Sequence, residues 1–311
     1  MVVNLEILPN KAGVILKDLD LSRPLTESVF QEIYEAYLHW ANIIITGQRH
    51  ISPDEYISFC SRFGEIISGV PATSRHKKYS TSDIDETIAP KYTLPGHPEI
   101  YVISNIEQKD GKPIGLSKAG LYWHSDLYYT AEPSKITFLL AKQLPRAGGD
   151  TLLLNNYEVY RAMPNSLKKR ISGLWMHHSW TTGWPYTFPT RAPLSPEEIL
   201  STPDVEHPLV GRHPETGRHF LFPGALYEFD NPGIRPVGLP SQKSAALYKE
   251  LKSFVLNEPF IYRHQWSLGD IVATDNLAGM HRGTNFDDAV EKRTIHRITI
   301  KGAAPIIGQL V

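Results

Sequence analysis

ITFLLAK, residues 136–142, opens the series of short runs that decides the fold. TLLL (151–154), HPLVG (207–211), HFLF (219–222), IVAT (271–274) and TIHRITI (294–300) follow it. Each is rich in β-branched, aliphatic or aromatic residues and too short for a typical helix, so each reads as a strand. Gly148-Gly149 and HPETG (213–217) mark turns between them. One helix is expected to interrupt this series, from Gln242 to Leu256, with Leu247, Leu251, Phe254 and Val255 on one face. Many strands, with helices early and once late, predict a mainly β fold with flanking helices, a double-stranded β-helix or jelly roll.

Working outward, the N-terminal part reads as strand, turn and strand (Asn4 to Leu8, Gly13 to Leu16). A helix over Thr26 to Ala41 is expected to share Val29, Ile33, Ala36 and Trp40 on one face. NIIIT (42–46) reads as a buried strand. Ser52-Pro53-Asp54-Glu55 has the residues of a capping box and starts a helix expected to reach about Arg62 and stop at Phe63-Gly64. From Gly69 to Gly120 the pattern weakens into a polar, Pro- and Gly-rich stretch with one strand-like island, Glu99 to Ser104. Irregular segments of that length in a compact domain are commonly functional.

With 311 residues, 41% of them hydrophobic, the chain can bury a large core. Its 32 Lys and Arg balance 33 Asp and Glu, which excludes the basic footprint of a nucleic-acid binder. No apolar run approaches the ~18 residues of a membrane span. The first residues lack the basic and apolar regions of a signal peptide. The expected partner is a small-molecule substrate, with no nucleic acid and no membrane, in the cytoplasm; a homo-oligomer is left open. The single cysteine, Cys60, reads as a small buried hydrophobe.

Tyr122-Trp123-His124-Ser125-Asp126-Leu127 carries the chemistry. Residues i and i+2 of a strand point to one side, so His124 and Asp126 offer an imidazole and a carboxylate to one metal. A distant histidine would complete a two-His, one-carboxylate face with open positions, the set suited to non-haem Fe(II). The carboxylate rivals His97-Pro98-Glu99 and His213-Pro214-Glu215 hold a proline between the ligands and read as turns. Far downstream stand GDIVATDN (269–276), His281 and RTIHRITI (293–300). On a strand, Arg293, Ile295, Arg297 and Thr299 share a face. Two arginines on an inward face are costly without an anionic partner, and the guanidinium fork fits a carboxylate. His177-His178 fall on opposite faces and His296 points away from the arginines.

Together these pieces resemble the taurine dioxygenase and 2,4-D dioxygenase family of Fe(II)- and 2-oxoglutarate-dependent oxygenases, from about Glu6 to Lys301. The resemblance rests on Phe63-Gly64, WHSD (123–126), GGDT (148–151), HPETG (213–217), GDIVATDN, His281 and the pair Arg293 and Arg297. It implies a single oxygenase domain over 1–311, with Fe(II), 2-oxoglutarate as cosubstrate and O2. It implies that His124, Asp126 and His281 bind iron and form the catalytic centre. Thr151 and Arg293 would meet the far carboxylate of 2-oxoglutarate. Arg297 would face the cosubstrate's other end or an acidic group on the substrate. The chain departs from the taurine enzyme after Phe63-Gly64, where Gly69 and Ala72 stand in place of a substrate-gripping histidine and tyrosine, so taurine is not the expected substrate.

Two segments, 69–120 and 175–191, are expected to form a lid. The second holds Trp175, Trp180, Trp184, Tyr186 and Phe188, with Pro185 and Pro189 breaking regular structure beyond Gly183. Trp184 is the residue expected to touch substrate. The expected reaction is oxidation, by default hydroxylation, of a C–H bond of a small acidic molecule, giving succinate and CO2. The alternatives are a non-catalytic metal-binding jelly roll acting as a sensor or structural module, and a zinc hydrolase, for which no well-placed general base is evident.

Overall fold

Two facing β-sheets, both mainly antiparallel, form the frame. The computed structural model describes residues 3–68, 92–107, 111, 114–116 and 120–308. Residues 69–91 and three shorter stretches before Gly120, which make up most of the first expected lid segment and include Gly69 and Ala72, lie outside the described residues. The larger sheet has eight strands, in the order Asn4–Ile7, Val14–Lys17, Asn42–Ile45, Ile271–Asp275, Ile136–Gln143, Thr294–Ile300, His97–Ser104 and Thr93–Leu94. The smaller has five, in the order Ala225–Leu226, Trp123–His124, Gly279–Gly283, Thr151–Asn155 and Tyr262–His264. Pairings are antiparallel except that of Val14–Lys17 with Asn42–Ile45. This is the jelly roll the strand-rich pattern predicts, with two further three-stranded sheets beside it.

Strand alternation explains the core. Ile43, Ile45, Phe138, Leu140, Ile271, Ala273, Ile298 and Ile300 face the two early helices in one cluster. Their neighbours Ile44, Leu139, Ala141, Val272 and Ile295 face the other way and pack with Leu153 of the smaller sheet. Both faces of the central strands are therefore apolar, which is why they read as continuous hydrophobic runs. Fully burying each such side chain contributes roughly 1.5–3 kcal/mol before entropy is counted.

The first helix, Glu27–Trp40, is capped by Thr26. Its buried stripe is Phe30, Ile33, Ala36 and Tyr37, while Val29 and Trp40 are only partly buried at its edges. The stripe is thus rotated from the sequence expectation, because the large rings of Phe30 and Tyr37 take the central positions. The second helix, Pro53–Ser61, has the capping box in full: Glu55 N–H donates to Ser52 Oγ at 3.2 Å and Ser52 N–H to Glu55 Oε2 at 2.7 Å. Gly64 ends this region at φ +143°, where a Cβ would come within 2.9 Å of Ile300. The late helix spans Ser241–Val255 and buries Leu247, Leu251 and Val255.

The middle of the chain holds more helix than expected. Asn156–Ala162, Asn165–Ile171, Trp180–Thr187 and Pro196–Ser201 are all helical. At six to eight residues they are too short for a helical period to show. Trp180–Thr187 overturns the reading of Pro185 as a breaker of regular structure. The strand stops at His178, Ser179 caps the helix by accepting from Thr182 N–H at 3.2 Å, and Pro185 sits inside it. In so short a helix the proline forfeits one hydrogen bond. The island near residue 99 is the strand His97–Ser104, so His97-Pro98-Glu99 begins a strand and the turn falls before it, at Pro95-Gly96. Among the described residues no helix is long and apolar enough to cross a membrane.

Candidate active site

The site lies between the two sheets. From the smaller sheet, His124 and His281 are register partners on adjacent strands, with ring centroids 4.4 Å apart. The strand carrying His124 covers only Trp123–His124, so Asp126 is not its i+2 neighbour on a strand, as the sequence suggested. It sits in the turn that follows, where Leu127 has φ +59°. Hydrogen bonds hold it instead. Asp126 N–H donates to Asn276 Oδ1 at 2.9 Å, and Ser134 Oγ donates to the Asp126 carbonyl at 2.9 Å. Thr137 Oγ1 donates to Asp126 Oδ2 at 2.5 Å while accepting from Asn276 Nδ2 at 3.0 Å. Asn276 and Thr137 are positioning residues that sequence reasoning missed, although Asn276 closes the GDIVATDN motif.

His124, Asp126 and His281 are buried, and each offers a ligand atom within 4.8 Å of the others. His124 Nδ1 lies 2.8 Å from the Tyr122 carbonyl oxygen. Donation there leaves Nε2 with its lone pair, 3.5 Å from Asp126 Oδ1. Gly120 lets the chain approach this ring: it has φ +69°, and a Cβ on it would stand 2.8 Å from His124 Cε1. Burial and the neighbouring His124 push the His281 pKa down to about 3, so its imidazole is neutral. Burial alone would raise the Asp126 pKa, but Arg297 and the two histidines hold its carboxyl well below the usual range. Two imidazoles and a carboxylate are the donor set that suits Fe(II). The buried Nδ1 of His281 has no hydrogen-bond partner among the described residues.

Ile295 and Arg297 of the larger sheet and Arg293, just before their strand, line the same cavity, as the shared face predicted, despite a register shift between Thr294 and Ile295. The cavity encloses about 620 Å3. Burial lowers the Arg293 pKa to about 10, with Asp150 opposing, so it stays cationic at neutral pH. Its Nε donates to the Gly149 carbonyl at 3.0 Å and its backbone N–H to Asn105 Oδ1 at 2.9 Å. Gly149 has φ +68°, and a Cβ there would press on Arg293 Cδ at 3.1 Å; the GGDT turn thus makes room for the arginine. Thr151 lines the cavity, and its Oγ1 accepts from Trp266 Nε1 at 3.1 Å, which leaves its own O–H to donate. Arg297 Nη1 lies 3.7 Å from Asp126 Oδ1, and its guanidinium carbon sits 4.7 Å from the centre of the Tyr101 ring.

The strands, the Asp126 turn and both arginines are thus assembled around one cavity, and residues 6–299 match the family described as "Taurine catabolism dioxygenase TauD, TfdA family". The chain belongs to the TauD/TfdA family. Membership makes it a dioxygenase of the Fe(II)- and 2-oxoglutarate-dependent class, with Fe(II), 2-oxoglutarate and O2 as cofactors. Among its relatives, it is 27% identical over 294 residues to the alpha-ketoglutarate-dependent 2,4-dichlorophenoxyacetate dioxygenase of Cupriavidus pinatubonensis, covering 93% of each chain. It is 28% identical over 307 residues to pentalenolactone F synthase of Streptomyces avermitilis, covering 94% of this chain and 92% of the relative. A taurine dioxygenase from Burkholderia xenovorans superposes with a TM-score of 0.72 at 25% identity, over 98% of this chain and 91% of that one. AAD-2, solved with Mn(II) and N-oxalylglycine, shares the fold with a TM-score of 0.79 at 24% identity, over 99% and 100% of the two chains.

The remaining family motifs have structural work. His213-Pro214-Glu215 is a turn, as expected: His213 Nδ1 accepts from Glu215 N–H and Thr216 N–H at 3.2 and 3.3 Å. His213 Nε2 lies 3.1 Å from buried Asp275 Oδ2, tying HPETG to GDIVATDN. His177 and His178 fall on opposite faces as read; His177 faces Asp204 at 3.3 Å and His178 is fully buried. Of the second segment expected as a lid, Trp180, Trp184 and Phe188 line the cavity, whereas Tyr186 is half exposed.

Proposed function

We propose that this dioxygenase oxidises, most simply hydroxylates, a C–H bond of a small acidic molecule with an apolar or aromatic body. His124, Asp126 and His281 hold the Fe(II) in this reading. Bound there with 2-oxoglutarate, the metal supplies the oxidising power by activating O2 while the cosubstrate is converted to succinate and CO2.

The protein's own groups do the positioning. Arg293 pairs with the far carboxylate of 2-oxoglutarate, and the Thr151 hydroxyl donates to it. Arg297 adds positive charge beside Asp126, toward the cosubstrate's other end or an acidic group on the substrate. Thr137 and Asn276 fix the Asp126 carboxylate so that Oδ1 is the oxygen left for the metal. Trp180, Trp184 and Phe188 exclude water and give the substrate an apolar wall.

The observation that carries this reading is the meeting of the His-Asp-His set with Thr151, Arg293 and Arg297 in one cavity of about 620 Å3. A metal-binding structural module has no use for the half-buried arginine pair. The acidic substrate class is also that of two relatives whose names give it, the 2,4-dichlorophenoxyacetate enzyme and the (S)-phenoxypropionate/alpha-ketoglutarate-dioxygenase of Sphingobium herbicidovorans. The test is a screen of aromatic and aliphatic carboxylates and sulfonates for substrate-triggered succinate formation with Fe(II), 2-oxoglutarate and O2. Acidic compounds with an apolar body should trigger turnover and their neutral amides should not; turnover triggered equally by neutral analogues would contradict the proposal.

A further inference from the structure

Tyr227 is buried and is not among the described residues that line the cavity, yet it lies between the cavity wall and the metal face. It directly follows the strand Ala225–Leu226, which pairs with Trp123–His124 so that Ala225 stands opposite His124. Its ring stacks on that of Tyr122, with centroids 4.6 Å apart and planes 18° apart. The Tyr122 ring lies 4.9 Å from the His124 ring on its other contact, and the Tyr122 carbonyl stands 2.8 Å from His124 Nδ1. Tyr122 is therefore held between a candidate metal ligand and Tyr227, and its placement sets the direction of the His124 ring.

The hydroxyl end of Tyr227 makes the other connections. It lies 2.9 Å from the hydroxyl of Tyr128, two residues beyond Asp126, and accepts from Thr187 Oγ1 at 3.1 Å. Accepting there leaves its own proton for Tyr128, and burial raises its pKa, so the proton is kept at neutral pH. Thr187 is the last residue of the helix Trp180–Thr187, whose Trp180 and Trp184 line the cavity. Asn231 Nδ2 donates to the same Thr187 oxygen at 3.1 Å. One buried side chain thus meets the segment Tyr122–Tyr128 on both sides of His124 and Asp126, and meets the cavity-lining helix as well. Buried hydroxyls that lose a partner are costly, so the joined groups move together or not at all.

We infer that Tyr227 is a positioning residue that couples the helix Trp180–Thr187 to the metal face. The inference rests on the assignment of His124 and Asp126 as iron ligands. Iron held there with 2-oxoglutarate fixes the segment from Tyr122 to Tyr128, and Tyr227 passes that order to Thr187, so the helix loses freedom when the metal face is loaded. Linkage makes the effect reciprocal: a molecule that orders the helix from the cavity side tightens the metal face in turn. Substrate then meets a wall that metal and cosubstrate have already set.

The test compares amide hydrogen exchange over residues 180–187 in the apoprotein and in the protein with Fe(II) and 2-oxoglutarate under anaerobic conditions. The visible charge-transfer band of the same samples reports loading. Tyr227→Phe keeps the ring stack and removes the hydroxyl, and Thr187→Val removes the partner of that hydroxyl. The difference between the two states is the readout, because a variant that merely loosens the helix raises exchange in both. In the wild type, loading should slow exchange of the helix by about fivefold or more. Both variants should develop the band yet show a slowing of about twofold or less, and the double variant should match the single ones. A wild-type band without slowing of the helix, slowing retained in either variant, or a band lost in either variant overturns the coupling and leaves the metal assignment standing. Absence of the band in the wild type overturns both.

Discussion

His281 is the register partner of His124, and their rings face each other with centroids 4.4 Å apart. One antiparallel pairing of short strands thus brings together two imidazoles from distant parts of the chain. The third candidate ligand, Asp126, depends on no strand; it is placed by Asn276, Thr137 and Ser134. The metal face is therefore a joint product of sheet register and a buried polar network, and groups that touch neither metal nor substrate should tune it.

Arg293 tests the cosubstrate assignment. Its replacement by Ala leaves a buried carboxylate of 2-oxoglutarate unpaired, at a cost of ~2–5 kcal/mol. The apparent affinity for 2-oxoglutarate should fall by about thirtyfold or more, and far more than the affinity for substrate. A cosubstrate titration that leaves this constant unchanged would assign Arg293 to the Gly149 contact alone.

Trp266 tests the second layer. Its indole N–H occupies the Thr151 hydroxyl oxygen, so Trp266→Phe removes one neutral hydrogen bond worth ~0.5–1.5 kcal/mol. We expect a loss in 2-oxoglutarate affinity of about two- to tenfold with the iron affinity unchanged. An effect as large as that of Arg293→Ala would mean that Trp266 supports the site by packing.

The helix Trp180–Thr187, proposed as part of a lid, makes a prediction of its own. Trp184 packs on Trp180 and Phe188 in the cavity wall. Trp184→Ala should weaken substrate binding while leaving Fe(II) and 2-oxoglutarate binding intact. Limited proteolysis across residues 175–191 should slow when substrate is bound. Equal cleavage in both states, with normal substrate affinity in the variant, would remove the lid from the account.

Stability should fall on acidification. Burial lowers the pKa values of His178 and His207, and that of His296 to about 4. The unfolded chain takes up these protons near pH 6.5 and the folded chain does not, so stability is lost as pH drops from about 6.5 toward 4, by up to ~1.4 kcal/mol per unit for each histidine. Denaturant melts at pH 7 and pH 5 should show the lower midpoint at pH 5; an equal or higher one would show that these rings are protonated in the fold.

Much of this was legible in the sequence where a pattern repeats. The strands over 136–142 and 294–300 declared themselves as short β-rich runs, and the capping box at Ser52 through its cap chemistry. The arginines 293 and 297 did so through their shared parity. The helix Trp180–Thr187 did not, because eight residues with a proline inside show no period. Pro196–Ser201 could have been found, since Ser195-Pro196-Glu197-Glu198 repeats the cap signature of residues 52–55. Asn276, Thr137 and Trp266 were out of reach, because their roles exist only where separate strands meet. Gly120 was hidden for the same reason: its missing side chain matters only against the ring of His124.

The central claim is that His124, Asp126 and His281 together hold Fe(II) with 2-oxoglutarate bound beside it. An anaerobic titration of the apoprotein with Fe(II) and 2-oxoglutarate, followed in the visible, tests it most directly. The wild type should develop a metal-to-ligand charge-transfer band that saturates at one iron per chain, and His124→Ala and His281→Ala, folded by circular dichroism, should fail to develop it. A band of undiminished intensity and affinity in either variant would contradict the account.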